Sequence, residues 1–313
     1  MEAPANPSVV IAVLTYQRPE DLQLALPRLL QQADSATMEA TVLVVDNDPH
    51  GSARKSVQDL ATAKLRYVNE TKPGISAARN RALMESSGAD LLVFIDDDEV
   101  PVENWLNQLL EVQRSTGATA VAGPVLSEYA HEPSEWIKAG EFFTRRRMAS
   151  GTRLSVAATN NLLLDLATIR KLGLEFDERF GLSGGSDTLF TRQLVKHGAK
   201  MVWCDEAVVI DRVPEGRLTT DWVLRRALRS GNSWARVCLE LAPGPLQRIS
   251  ARVRLAGLGG VRLVGGGGRY IAGVAVRRIS HRAKGMRTVA RGLGMLSGAF
   301  GYVYSEYRRH PRQ

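Results

Sequence analysis

The chain has 313 residues, which is long enough for one large domain with a buried core plus an extension. It contains only two cysteines, Cys204 and Cys238, and neither has the partners of a zinc motif or a disulfide framework. No apolar run approaches the length of a membrane-spanning helix and no signal peptide is evident, so we expect a protein of the reducing cytoplasm.

The net charge of +8 is unevenly distributed along the chain. Residues 217–313 contain 19 Lys and Arg against 3 Asp and Glu, a balance of +16, whereas residues 1–216 contain the other 22 basic and 30 acidic residues, a balance of −8. A strongly basic segment is attracted to anionic surfaces, while an acidic body favours cations or substrates other than polyanions. We therefore predict one domain over residues 1–212 and a basic helical extension over residues 213–313.

The first part of the chain alternates between short apolar strands and amphipathic helices. In chain order the predicted elements are strand 9–14, helix 21–33, strand 41–45, strand 65–68, helix 76–85, strand 91–95, helix 105–113, strand 118–126, strand 156–164, helix 188–197 and strand 200–210. This alternation predicts an α/β fold with a doubly wound, mostly parallel sheet, whose ligands lie beyond the carboxyl ends of the strands.

Four consecutive acids, Asp96, Asp97, Asp98 and Glu99, directly follow the apolar strand 91–95. A buried strand that ends in several carboxylates concentrates negative charge at one edge of the sheet, where a cation offsets the repulsion. Acids after a strand can also cap the next helix or face water, but four in a row are harder to explain in that way. The cluster therefore predicts a site for a divalent cation that prefers hard oxygen ligands, Mn²⁺ or Mg²⁺.

Further polar motifs follow the predicted strands. In chain order they are Thr15-Tyr16, Asp46-Asn47, Gly74 with Ala78-Arg79-Asn80, the acid cluster, Phe176-Asp177-Glu178-Arg179-Phe180, and Gly184-Gly185-Ser186-Asp187 with Arg192. Each motif is weak by itself, but the six in this order, over roughly residues 8–230, resemble the family-2 nucleotide-sugar glycosyltransferases of the GT-A fold. The resemblance implies a GT-A fold and an inverting, metal-dependent transfer of a sugar from a nucleoside diphosphate sugar, with a UDP-sugar as the expected donor.

The resemblance also implies roles for individual acids. In the family motif one acid lies near the ribose and the last binds the metal, so either Asp96 or Asp97 contacts the ribose and Asp98 is the metal ligand in both registers. Asp211 stands where many relatives have a metal-binding His, and it is a second candidate ligand. Asp187 occupies the position of the catalytic base, which takes the proton of the acceptor hydroxyl, although Ser186 replaces the usual Glu before it.

The same resemblance predicts a set of nucleotide-sugar-binding residues, namely Thr15, Tyr16, Asp46, Arg79, Asp96, Asp97, Asn160 and Asn161. Several of them have an ordinary structural alternative. Asp46 could form a turn, the two asparagines could be turn residues at a strand edge, and Arg79 could lie on a solvated helix face. Asp187 could simply be an acid in the first turn of a helix, stabilised by the helix dipole.

The C-terminal extension reads as basic helices interrupted by the four glycines of residues 265–268. Six apolar residues fall on one helical stripe flanked by Lys and Arg, namely Ile279, Ala283, Met286, Ala290, Leu293 and Phe300. A basic amphipathic helix of this kind is typical of proteins that lie on an anionic membrane surface. The alternative is that the stripe packs against the catalytic domain.

Together these features predict a glycosyltransferase that acts on a hydroxyl of a glycan, carried on a lipid at the inner face of the cell membrane, in exopolysaccharide or cell-envelope synthesis. A transferase with a soluble small-molecule acceptor is one alternative. A nucleic-acid-binding protein that uses the basic extension is another, but the acidic body lacks any zinc or basic-aromatic pattern, so we expect no nucleic-acid partner.

Overall fold

A computed structural model of the chain describes residues 7–60, 62–145 and 147–305. The strands are β1 Ser8–Thr15, β2 Glu39–Asp46, β3 Leu65–Asn69, β4 Leu91–Asp96, β5 Glu99–Pro101, β6 Ala120–Ala122, β7 Val125–Tyr129, β8 Asn161–Asp165, β9 Met201–Trp203 and β10 Val209–Val213. The α-helices are α1 Pro19–Asp34, α2 Arg54–Gln58, α3 Ile75–Glu85, α4 Trp105–Thr116, α5 Glu135–Gly140, α6 Leu166–Leu172, α7 Ser186–Lys196, α8 Thr220–Glu240, α9 Pro245–Ala275 and α10 Ile279–Ala299.

The large sheet has seven strands in the order β3-β2-β1-β4-β8-β6-β9. The pairs β2–β3, β1–β2, β1–β4 and β6–β9 are parallel, whereas β8 is antiparallel to both of its neighbours. This confirms the prediction of a doubly wound, mostly parallel sheet. A second sheet of three short strands has the order β5-β10-β7.

The two faces of the large sheet carry separate apolar cores. Successive side chains of a strand point to opposite faces, so Ile11 of β1 packs with α1 and α4, including the buried Trp105. Ala12 of β1 packs on the other face with α3 and α7, including the buried Phe190. Because helices cover both faces, the central strands are continuously apolar, and their polar residues are confined to the carboxyl ends.

Three of the predicted strands are wrong in extent. The segments 118–126 and 200–210 each contain two strands, of which the first belongs to the large sheet and the second to the small one. The first interruption falls at Gly123-Pro124, where the proline has no amide hydrogen for a ladder and its carbonyl accepts a hydrogen bond from the amide of Val209. The strand predicted over 156–164 begins only at Asn161.

The chain divides into two compact units. The first contains the described residues up to Ser127 together with Arg145–Gly181 and Ser186–Asp211. The second contains Glu128–Thr144, Leu182–Gly185 and the described residues from Arg212 onwards. The sequence did not indicate that the two shorter segments group with the C-terminal part.

The four glycines of residues 265–268 do not interrupt the C-terminal helices, contrary to the prediction, because α9 runs through them. Gly266 lies against α10, where an added Cβ would be 2.9 Å from the backbone nitrogen of Val289. Gly259 and Gly273, seven residues to either side, make similarly close approaches. Tertiary packing between the two helices therefore outweighs the low helix propensity of glycine.

The predicted apolar stripe of α10 does not form one exposed surface. The helix packs against both α8 and α9, and Ala283 and Ala290 are buried. Leu293 and Phe300 remain 46% and 77% exposed. Part of the stripe therefore serves packing inside the second unit, on α8 and α9, and not the packing against the catalytic domain that the alternative predicted. Among the described helices, none combines the length and the hydropathy needed to cross a membrane.

Candidate active site

The acid cluster lies at the carboxyl end of β4, beside the end of β1, since Leu14 pairs with Asp96 in the parallel register. The Thr15 hydroxyl donates a hydrogen bond to the buried carboxylate of Asp97 at 2.7 Å. The Arg18 guanidinium contacts Asp97 at 3.3 Å and Asp98 at 3.2 Å. One half-exposed arginine thus offsets part of the negative charge that the strand end collects.

Burial and mutual repulsion raise the pKa values of these acids. The pKa of Asp96 is raised to about 7, first by burial and then by the charge of Asp98. The pKa of Asp97 is raised to about 6, mainly by burial, although the Thr15 hydroxyl and Arg18 act in the opposite direction. Burial, followed by the charge of Asp96, raises the pKa of Glu99 well above its usual range. The site therefore favours the arrival of a further positive charge.

Two more predicted residues lie beside the cluster. The Asn160 amide donates a hydrogen bond of 2.6 Å to Glu99, whose other carboxylate oxygen accepts one from the backbone amide of Asp96. Asp211 of β10 pairs with Glu99 of β5 in the antiparallel register of the small sheet. Its charge contributes to the raised pKa of Asp96. The small sheet therefore delivers a second carboxylate to the end of β4.

Arg79 on α3 connects the acid cluster to the start of α7. Its guanidinium lowers the pKa of Asp96, against the larger effects of burial and Asp98. It also donates a hydrogen bond of 2.7 Å to the hydroxyl of the buried Ser186 and lies 5.4 Å from the centre of the Phe176 ring. Asp187 follows Ser186 in the first turn of α7 and is half-buried, with its carboxylate accepting a bond from the amide of Thr188.

Asp46 is directed into the protein. Its carboxylate is fully buried and accepts hydrogen bonds from the backbone amides of Asp48 and Ala53 and from the hydroxyl of Tyr67. Burial, followed by the Asp46 charge, raises the pKa of Tyr67 to about 12. In this structure the side chain organises the loop after β2, and its contact with the nucleotide base stays a prediction.

Asn161 likewise has a structural role, and its contact with the nucleotide sugar stays a prediction. Its side chain is buried, accepts a hydrogen bond from the indole of Trp105 and donates to the carbonyls of Pro124 and Ala207. With its oxygen and both amide hydrogens engaged, it joins α4 to the junction of the two sheets. Tyr16, by contrast, lies directly after β1 and is 37% exposed.

Comparison with known proteins decides what kind of site this is. Residues 10–165 match the family model for glycosyl transferase family 2. Over 297 residues the chain is 33% identical to the succinoglycan biosynthesis protein ExoM of Rhizobium meliloti (strain 1021), covering 93% of this chain and 92% of that protein. The chain belongs to glycosyltransferase family 2. The predicted family and the predicted class of enzyme, a glycosyltransferase, are therefore confirmed.

Two further comparisons place this family 2 glycosyltransferase among its relatives. It is 25% identical over 250 residues to the glycosyltransferase AglE of Haloferax volcanii, covering 79% of this chain and 77% of that one. The mannosyltransferase PcManGT from Pyrobaculum calidifontis, solved in complex with GDP-Man and Mn²⁺, superimposes with a TM-score of 0.61 at 16% identity, covering 94% of this chain and 88% of that one. The fold is therefore GT-A, as predicted.

Sequence reasoning overlooked three residues of this glycosyltransferase's site. Arg18 lies three residues after the end of β1, which meets the same sheet edge as β4, so its position was a usable signal. Glu99 was counted among the acids but not as the partner of Asn160. The buried Asn47 donates to the carbonyls of residues 70 and 72 and accepts from the amide of Gly74, so it fixes the loop before α3. Nothing in the local sequence indicated that network.

Proposed function

We propose that this family 2 glycosyltransferase moves a sugar from a nucleoside diphosphate sugar to a hydroxyl of a glycan, with inversion at the anomeric carbon and with Mn²⁺ or Mg²⁺ as cofactor. The observation that carries the proposal is the position of Arg79, which interacts with Asp96 and donates to Ser186, next to Asp187. One arginine thus connects carboxylates suited to a cation with a carboxylate suited to accept a proton.

The donor set at the strand ends suits a hard divalent cation. Asp98 and Asp211 offer carboxylate oxygens, and Mg²⁺ in nucleotide-using enzymes is bound by one or two carboxylates together with substrate phosphates and water. Such a site needs no group of three protein ligands, and none is found among the described residues. When bound, the cation neutralises charge on the departing diphosphate. The Mn²⁺ in the similar PcManGT complex supports this assignment.

The nucleotide sugar is proposed to lie along the exposed side of the acid cluster. Asp97 is already held by Thr15 and Arg18, which leaves Asp96 as the carboxylate for the ribose. The ring of Tyr16 and the backbone of Thr15 would contact the base. Arg79 and Asn160 are the polar groups that we assign to the diphosphate and the sugar. We propose a UDP-sugar as the donor. Because PcManGT was solved with GDP-Man, GDP is the nucleotide to compare with UDP.

Asp187 is proposed as the general base. Asp187 lies half-buried in the first turn of α7, directly after Ser186, whose hydroxyl accepts the hydrogen bond from Arg79. The charged carboxylate would accept the proton of the acceptor hydroxyl while that oxygen attacks the anomeric carbon from the face opposite the diphosphate. A single displacement of this kind inverts the configuration.

The acceptor is proposed to be a glycan of a polysaccharide pathway, since ExoM, the relative with 33% identity, is named for succinoglycan biosynthesis. We further propose that the acceptor is lipid-linked and that the enzyme works at the cytoplasmic face of the membrane, as a peripheral protein. The basic second unit supports this, because it would be attracted to the anionic headgroups around such an acceptor. A soluble acceptor would give the same chemistry without any need for lipid.

A thermal-shift panel tests the metal and donor assignments together. UDP, GDP and dTDP are each added to the full chain with and without Mn²⁺, and one nucleotide is expected to raise the melting temperature by several degrees only when Mn²⁺ is present. Asp98→Asn should lose this shift. Asp59→Asn is the matched control, because Asp59 is a half-exposed acid that pairs with the surface residue Lys55. A full shift in Asp98→Asn, or none in the wild type, would refute the site.

A further inference from the structure

The long helix α9 exposes an apolar face along its whole length. Its 31 residues span about 46 Å at 1.5 Å per residue. Seven aliphatic side chains on this helix are between 50% and 80% exposed, namely Leu246, Ile249, Val253, Val261, Val264, Ile271 and Val274. At 100° per residue they fall within an arc of about 140°, which is the width of one amphipathic face. We call these seven residues the outward face of α9.

The opposite side of α9 is the one that packs. Leu255, Gly259, Gly266 and Gly273 are buried, and the three glycines approach α10 so closely that an added Cβ would be within 2.9 Å of an atom of that helix. The helix therefore turns its small residues inward and its larger aliphatic residues to the outside. That is the reverse of an ordinary surface helix, whose apolar residues face the core. An extended exposed apolar face of this size marks an interaction site.

The charges around this face are of one sign. Between Glu240 and Glu306 the sequence has no acidic residue but 11 Lys and Arg. Arg252 and Arg254, both exposed, lie just outside the two margins of the outward face on the helical wheel. The surroundings of the outward face therefore favour anions.

We propose that the outward face of α9 lies in the interface of an anionic lipid bilayer, with its aliphatic side chains among the acyl chains and with Arg252 and Arg254 at the headgroups. The proposal rests on the proposed lipid-linked acceptor and names the surface by which the enzyme reaches it. Five arginines lie along α9, so the helix rests on the bilayer rather than crossing it. A second copy of the chain is a poorer occupant, because two such faces would bring their arginines together.

Flotation of the full chain with vesicles tests the proposal. The probes are vesicles of phosphatidylcholine alone and vesicles of equal parts phosphatidylcholine and phosphatidylglycerol. The wild type is expected to float with the anionic vesicles and to stay at the bottom with the neutral ones. Val253→Ser/Val264→Ser is expected to lose about tenfold in affinity for the anionic vesicles, because it removes two aliphatic groups from the middle of the face. Serine and valine have similar helix propensities, and circular dichroism checks that the helices remain.

Leu24→Ser/Met84→Ser is the matched control, since both residues are on helices of the first unit and are 56% and 57% exposed. It should float as the wild type does. The proposal is overturned if the wild type binds neither vesicle, if the Val253/Val264 variant floats like the wild type, or if both double variants lose binding equally. It is also overturned if the wild type does not float but is a dimer in solution, and the Val253/Val264 variant is a monomer. Donor hydrolysis by the wild type without vesicles is measured separately, so failure of the transferase proposal is distinguishable from failure of this one.

Discussion

Replacing Gly294 by alanine is expected to destabilise the second unit, although the same exchange usually stabilises a helix. Gly294 faces α8, where an added Cβ would lie 1.9 Å from the carbonyl oxygen of Leu228 and 3.0 Å from the amide nitrogen of Asn232. Both are backbone atoms, so neither can rotate away. The two helices would have to separate along their contact to admit one methyl group.

The size of the effect follows from two opposing contributions. Overpacking a well-filled contact costs up to about 3 kcal/mol, and the high end applies where the obstacle is backbone. The better helix propensity of alanine returns about 1 kcal/mol, so the net loss is about 2 kcal/mol. Gly265→Ala is the control, because Gly265 lies in α9 with nothing within 4 Å of an added Cβ. It should gain about 1 kcal/mol.

Urea unfolding of the full chain, followed by circular dichroism, measures the difference between the two variants. Both replace glycine by alanine inside a long helix, so the effect on the unfolded chain is the same and cancels in the comparison. The expected gap is about 3 kcal/mol, with Gly294→Ala unfolding at lower urea than the wild type and Gly265→Ala at higher urea. Equal midpoints for the two variants would show that the close helix contacts do not hold.

Three further predictions concern the site. Asp187→Asn should lower the rate of sugar transfer by about two to four orders of magnitude. The thermal shift with nucleotide and Mn²⁺ should persist, because a general base acts on the acceptor and not on the donor. A near-normal transfer rate would place the base elsewhere. Arg79→Met should lose at least about tenfold in donor affinity, because it removes a charged hydrogen bond, whereas Arg81→Met on the same helix should bind as the wild type does in isothermal titration. Asn161→Ala should lower the free energy of unfolding by about 2 kcal/mol or more through unpaired buried groups, and an unchanged urea midpoint would contradict the network assigned to it.

The position of the site could be predicted because strand ends determine it. In a parallel sheet the carboxyl ends of neighbouring strands meet at one edge, so residues that follow β1 and β4 had to lie together. The resemblance assigned Arg79 to the nucleotide sugar, and in the structure its charge acts on Asp96. Asp211 was harder to place, because it reaches the acids only through the antiparallel pairing of β10 with β5. That pairing depended on a strand boundary that the apolar pattern alone had missed.

What the sequence could not indicate is which polar groups are used internally. Asp46 and Asn161 stand at strand ends just as Asp98 and Asn160 do, and nothing in their neighbours distinguishes them. The difference is tertiary: Asp46 finds two backbone amides and a tyrosine hydroxyl, and Asn161 finds an indole and two carbonyls. The prediction that the glycines of residues 265–268 interrupt a helix was wrong for a related reason. The free energy that keeps them helical comes from packing against α10 and not from their own helix propensity.

A short segment links the helical unit to the proposed base through the chain itself. Ser183 is buried in the second unit, where its hydroxyl accepts a hydrogen bond of 2.5 Å from Arg236 and its carbonyl accepts one of 3.3 Å from the Ser233 hydroxyl. Both donors are on α8. Four residues after Ser183 the chain reaches Asp187, in the first turn of α7. Gly184 and Gly185 therefore connect the segment held by α8 to the start of α7 in the chain. If α9 rests on lipid as proposed, the unit that meets the membrane also contains the segment that precedes the helix of the proposed base in the chain.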